Sequence, residues 1–210
     1  TLDAFRSTAI AFRSMATAAR HLPLSPQPPP GGWTVEAIFD LPEDGQRYEL
    51  IDGELLVTPP PIWHHQSVLS HLLHLLWPPD DRPMVRTLAA PLGWRPAGRE
   101  RWLEPDLSVI DTTPLARDDR WVVQPPLLVV EVASRSTRRR DRTVKRRVYD
   151  EDGVGAYWMV EPDQAAPSVT VLERAEPGGP LVEVATVHGS DAVELTHPWT
   201  LRLVPADLVR

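Results

Sequence analysis

The sequence predicts a mixed α/β domain, and three observations carry that expectation. Leu127 to Val132 sets five apolar residues in six positions, interrupted only by Glu131, between Pro125-Pro126 and Ser134. A run so short and so apolar reads as a strand covered on both faces. The segment after it reads as a helix with Ser136 or Thr137 as N-cap, and Asp141, Lys145 and Tyr149, four residues apart, share one of its faces. Upstream, Asp52-Gly53 separates two apolar runs, a strong hairpin signal because both residues accept positive φ in a type I′ turn.

The remaining elements follow in order. Residues 1–32 read as an N-terminal extension and a Pro-rich linker: Leu2, Phe5, Ile10, Phe12 and Met15 make a weak amphipathic pattern with Arg6, Arg13 and Arg20. A targeting peptide or a loosely ordered extension would each look so. Prolines and glycines then fill Pro23 to Gly32. The domain, residues 33–205, opens with a short helix capped by Thr34 and ended by Leu41-Pro42. Tyr48 to Val57 is the hairpin, in a register pairing Ile51 with Glu54 and Glu49 with Leu56. Past Pro59-Pro60-Pro61 the spacing turns helical, with Val68, Leu69, Leu72, Leu73 and Leu76 on one stripe. Strands are expected over Val85–Trp94, Trp102–Asp111, Leu127–Val132 and Val154–Val160. Ser168–Leu172 and Leu181–Val187 should form an antiparallel pair, and Trp199–Val204 a last strand. Asp152-Gly153 stops the Lys145 helix. Residues 206–210 read as a tail.

Composition narrows the function. Without cysteine there is no disulfide scaffold and no thiolate metal site, so a metal would need oxygen or histidine ligands. The formal net charge of -7 argues against indiscriminate coating of nucleic acid, though not against a nuclease with a local basic surface. With no apolar run of membrane-spanning length and no signal-peptide core, a cytoplasmic protein with no membrane partner is expected.

Two carboxylates, Asp106 and Glu131, fall on consecutive apolar strands, where a charge is costly unless paired. Lys145 follows on the next helix and is the sole lysine among 22 basic residues. Its retention in so arginine-rich a chain points to a place that needs a compact ammonium rather than a wide fork. Two acids and a lysine suit Mg²⁺ chemistry on phosphates, because Mg²⁺ takes one or two protein carboxylates and keeps waters. Each residue also has a structural reading: Asp106 as a strand-start cap, Glu131 and Lys145 as a buried pair. His71 and His74 lie among leucines and read as helix surface or core edge, whereas His65, ahead of the stripe, is the better site candidate. Arg138 to Arg140, Arg142, Arg146 and Arg147 would follow a DNA backbone or form a solvated face.

The words around these residues are more specific. Arg47-Tyr-Glu-Leu-Ile-Asp-Gly-Glu54 comes first, then Pro61 with His65, then Glu104-Pro-Asp106-Leu-Ser-Val. Val129-Val-Glu131-Val-Ala-Ser134 follows, running on through Asp141, Lys145 and Tyr149 to Gly153-Val with Tyr157-Trp158. In that order they resemble the Uma-type restriction endonuclease family, a branch of the PD-(D/E)xK nuclease superfamily, over roughly residues 33 to 205. The resemblance implies a restriction-endonuclease-like mixed central sheet flanked by helices, with the metal site where two strands meet. It places the family's acids at Asp106 and Glu131 and adds the main-chain carbonyl of Val132 as a metal ligand. The superfamily's lysine position, two residues after the second acid, is Ala133 here. Family members look as though they supply the lysine from the next helix, at Lys145. Glu49 and His65 match further signature positions and would line the site, Glu49 as an auxiliary acid and His65 on phosphate or water. The sequence departs from the family at Gly155-Ala156, where Pro-Glu is common. The implied activity is Mg²⁺-dependent (Mn²⁺ as substitute) endonucleolytic hydrolysis of DNA, with a homodimer suited to cutting both strands. A nuclease-like binding module without catalysis is the alternative.

Overall fold

The structure, a computed structural model, describes residues 26–134 and 138–210. The expected extension up to residue 25 and the N-cap candidates Ser136 and Thr137 lie outside the described residues. Six strands form the central sheet: β3 (Val85–Ala89), β4 (Leu107–Asp111), β5 (Leu128–Val132), β6 (Ala156–Glu161), β7 (Ser168–Arg174) and β8 (Leu181–His188). They stand in sequence order, with β5 and β6 parallel and every other pair antiparallel, so the sheet is mixed as expected.

Alternation along these strands divides the interior into two layers. Leu107, Val109, Leu128, Val130, Val132, Trp158 and Val160 point to one face. There they meet Val68, Leu69 and Leu72 of helix α2 (Trp63–Leu75), whose apolar spacing matches the predicted stripe. Ile110, Val129, Tyr157 and Met159 point to the other face and pack on Val148 and Tyr149 of helix α4 (Arg146–Glu151). Asp106 and Glu131 have the parity of this second face. The β4–β5 register pairs Leu107 with Val130, and one further step sets Asp106 across from Glu131.

The hairpin of β1 (Arg47–Ile51) and β2 (Glu54–Thr58) has the expected register, Ile51 with Glu54 and Glu49 with Leu56. Its turn has φ of 52° at Asp52 and 84° at Gly53, as a type I′ turn requires. Leu50 and Trp102 exchange backbone hydrogen bonds of 2.8 and 3.0 Å, tying the hairpin to the domain. Tyr48 and Leu50 join Trp102 and the short helix α1 (Val35–Ile38) in a third small core. Thr34 caps α1 by accepting from the Ala37 N–H, as predicted.

Four expectations need correction. The strand expected over Trp102–Asp111 begins only at Leu107, because Trp102 and Leu103 pair elsewhere, with Leu50 and Trp94. Likewise β3 ends at Ala89, and Trp94 bridges to Leu103 and Val122 instead of extending it. The last strand, β10 (Leu201–Leu203), pairs with β9 (Val193–Leu195), which the sequence reading did not assign. Finally, the expected tail is structured: Pro205–Leu208 forms helix α5, which buries Leu208 in the α2 core, and the Leu208 carbonyl lies 2.9 Å from His71 Nδ1.

Candidate active site

A carboxylate on a buried strand face must find a cation, and the hairpin and the helix after β5 each deliver one. The helix is not regular. Arg138–Arg140 (α3) and α4 are joined by a π-helical turn, Asp141–Lys145. In a straight α-helix every fourth residue drifts about 40° around the axis. A π turn holds more residues and offsets part of that drift. Asp141, Lys145 and Tyr149 are accordingly all buried. The sequence predicted their shared face but not the π turn that maintains it.

Lys145 Nζ lies 2.7 Å from Glu131 Oε1 and 3.0 Å from Glu49 Oε2. All three side chains are at most 3% exposed. Tyr149 donates its hydroxyl to the same Glu131 Oε1, so both bonds fall on one oxygen. No hydrogen bond joins Glu131 Oε2 to another described residue. Glu49 also accepts the Glu104 N–H at 3.0 Å, which fixes the carboxylate that meets Lys145 from the hairpin side.

Asp106 is engaged on both oxygens. Arg47 Nη1 donates to Oδ1 at 2.6 Å, while Oδ2 accepts the Val132 N–H at 2.8 Å and lies 3.2 Å from His65 Nε2. His65 reaches it from the first turn of α2, three and four residues ahead of the buried Val68 and Leu69. Arg47 escaped the sequence reading. The signal was there in its spacing: two residues before Glu49 on a strand, it shares Glu49's face, and a buried Asp106 needed a cation.

Charge and burial set the protonation of the cluster. Burial alone would raise the Asp106 carboxyl, but the His65 hydrogen bond and the Arg47 charge outweigh it and hold Asp106 well below the usual range. Glu131 goes the other way: burial, helped by Asp106 and Glu49, overcomes the pull of Lys145 and pushes it up to about 8. Burial opposes the Lys145 charge, yet Glu131 and Glu49 keep its pKa above the ordinary lysine value. Arg47 and Lys145 therefore face more carboxylates than they can neutralise, and a proton on Glu131 relieves the excess.

Asp106, Glu131, Val132, Lys145, Glu49 and His65 all line a single cavity of about 1100 Å³, so the residues singled out in the sequence are brought together. Arg47, Glu104 and Asp141 line it too, and Arg138 and Arg140 stand at its wall. Of the arginine-rich helix, Arg138 and Arg142 pair with Glu161 at 2.7 and 3.2 Å, and Arg147 with Asp52 at 2.6 Å, while Arg139 and Arg146 are exposed. Ala156, where the sequence departs from the expected family words, is buried in the α2-side core, across the sheet from the Glu131 face.

The model of a family described as "Uma2: Putative restriction endonuclease" matches residues 35–204. No curated protein matches the chain. A solved structure from Anabaena variabilis ATCC 29413, described as "a putative nuclease belonging to DUF820", is 19% identical with a TM-score of 0.64. The match covers 84% of this chain and 97% of that one. At that identity the likeness is one of fold. Among the described residues no helix is long and apolar enough to cross a membrane.

Proposed function

This chain belongs to the Uma2 restriction endonuclease family, and from that premise we propose that its cavity is the active site of a Mg²⁺-dependent nuclease that hydrolyses DNA phosphodiester bonds. The observation that carries the reading is the convergence of Asp106, Glu131 and Lys145, from two strands and a helix, on one cavity.

The donor set suits a hard divalent ion. Asp106, Glu131 and the Val132 carbonyl are all oxygen donors, and Glu131 Oε2 is without a hydrogen-bond partner among the described residues. No group of three or more acidic or histidine side chains forms a ready cage among the described residues. Mg²⁺ needs none, since it is commonly held by one or two carboxylates, waters and substrate phosphate. When bound, the ion supplies Lewis acidity to the scissile phosphate and lowers the pKa of a nearby water. Glu131 would hold the ion as a carboxylate, without its proton. The Lys145 ammonium, braced between Glu131 and Glu49, orients the attacking water and offsets charge that builds on the phosphate oxygens. Arg47 and His65 hold the Asp106 carboxylate in one orientation, and the Tyr149 hydroxyl does the same for Glu131. Arg138 and Arg140 at the wall, with the exposed Arg139 and Arg146 nearby, offer the DNA backbone a positive approach in an otherwise acidic protein.

One observation favours the second reading, a nuclease-like module that binds without cutting: Arg47, His65 and the Val132 N–H already occupy both oxygens of Asp106. Calorimetric titration with Mg²⁺ and with Mn²⁺ separates the two. The enzyme reading expects binding that Asp106→Asn and Glu131→Gln each abolish. Heat of binding that survives both substitutions refutes it, and oligonucleotide binding with no metal binding at all supports the module.

A further inference from the structure

Helix α2 carries a second feature, on the side away from its core. The most exposed large apolar side chains among the described residues are Trp63, Trp77 and Ile62, at 76%, 73% and 70%. Trp63 opens α2 and Trp77 lies just past its end. The exposed residues from one tryptophan to the other are Trp63, Gln66, Ser70, His74 and Trp77. At about 100° per residue all five fall within about 40° of Ser70, on one stripe. From Leu55 to Pro79 the sequence contains no Asp, Glu, Lys or Arg. A solvated helix face normally carries charge, and this one carries two tryptophans instead.

The stripe is symmetric about Ser70. Gln66 and His74 lie four residues to either side of it, and Trp63 and Trp77 lie seven to either side. We propose that this face is the contact between two copies of the chain, packed as antiparallel α2 helices about a two-fold axis through Ser70. A two-fold contact must be self-complementary: if one residue meets another, the second must meet the first. Here Trp63 of each copy meets Trp77 of the other, and Gln66 meets His74, an amide against an imidazole that can each donate and accept. At the axis the side chain is small, which lets the helices approach to a normal packing distance. Ser70 already donates its hydroxyl to the Gln66 carbonyl at 3.0 Å, so burying it leaves no donor unpaired.

Charge and area fit the same partner. The chain is acidic, with a formal net charge of -7, and an uncharged stripe lets two copies meet without like charges across the contact. Each tryptophan offers roughly 150–250 Å². Four of them, with the flanking Ile62 residues, bring the contact to about 1,000 Å², the lower bound for a specific interface. Ile62, Trp63, His64 and His65 also line the cavity. Pairing therefore sets Trp77 of the second copy against the rim of each cavity. The proposal stands independently of the nuclease reading.

The chain has no cysteine, so single cysteines report the register directly. Ser70→Cys should cross-link to itself under mild oxidation. Gln66→Cys and His74→Cys should each fail alone and cross-link when mixed. In sedimentation the full chain should run as a dimer, and Trp63→Lys and Trp77→Glu each as a monomer. An equimolar mixture of those two variants should re-form a dimer, because lysine then faces glutamate while the other pair stays Trp on Trp. A monomeric wild type overturns the proposal, as does a Ser70→Cys protein that does not cross-link. So does a wild type that stays monomeric and binds oligonucleotide more tightly than Trp63→Ala does, a result that assigns the face to nucleic acid.

Discussion

Lys145→Ala should cost the fold as well as any activity, and the size of the loss follows from the ion pair. The ammonium is 3% exposed and sits 2.7 Å from Glu131 and 3.0 Å from Glu49. Removing one partner of a buried pair typically costs about 3–5 kcal/mol, because the remaining charge stays buried and unpaired. Glu131, pushed up to about 8, already favours its protonated form at neutral pH, so less charge is left alone when the ammonium goes. The cost should fall at the lower end, about 3 kcal/mol. Urea unfolding followed by tryptophan fluorescence, at neutral pH with EDTA present, reads this directly. With a slope near 2 kcal/mol/M the midpoint should drop by about 1.5 M. The triple replacement Lys145→Met, Glu131→Gln, Glu49→Gln should recover most of the loss, since no buried charge is then left alone. A Lys145→Ala midpoint within about 0.3 M of wild type would refute the reasoning, for the three groups could not then be a desolvated, mutually dependent cluster.

Other expectations concern the neighbours. Arg47→Met removes the cation on Asp106 Oδ1 and, since Arg47 is partly exposed, should cost less than the Lys145 change, about 1–3 kcal/mol by the same unfolding assay. Metal-free stability should fall as pH drops below about 4. There the unfolded chain protonates Asp106 while the native carboxyl, held well below the usual range, stays charged. Asp106→Asn should flatten that acid limb, and an unchanged limb would contradict the assignment. For Glu131 the sign reverses: from its ordinary value of 4.5 up to about 8 the native state holds a proton the unfolded state has released. Stability should therefore decline as pH rises through that window, and Glu131→Gln should make the decline shallower. A Cβ at residue 155 would lie 2.6 Å from the Leu127 carbonyl oxygen, so Gly155→Ala should destabilise by about 1–3 kcal/mol while leaving metal binding intact.

What could be read without coordinates was whatever local chemistry or strand parity decides. The Asp52-Gly53 turn fixes its own register because both residues accept positive φ, whatever surrounds them. Asp106 and Glu131 could be placed because apolar strands with a lone acid advertise the cost of burying it. Lys145 added its rarity, and the family words gave these residues their order. Arg47 was less legible, since its role depends on Asp106, far along the chain, and only its place two residues before Glu49 on a strand sets it apart from other arginines. The π turn is a response to keeping Asp141, Lys145 and Tyr149 inward together, and residue spacing alone cannot tell it from an α-helical turn. Helix α5 spans too few residues to show a period, and what shapes it is Leu208 reaching the α2 core.

The most direct test of the central claim is cleavage of duplex DNA by the full chain in Mg²⁺, set beside the same assay in EDTA and with an Asp106→Asn protein shown to be folded. Cutting should require the ion and fall by about a hundredfold or more in the variant. Cutting that persists in EDTA, or runs equally fast without the Asp106 carboxylate, would contradict a site built on these two acids and one lysine.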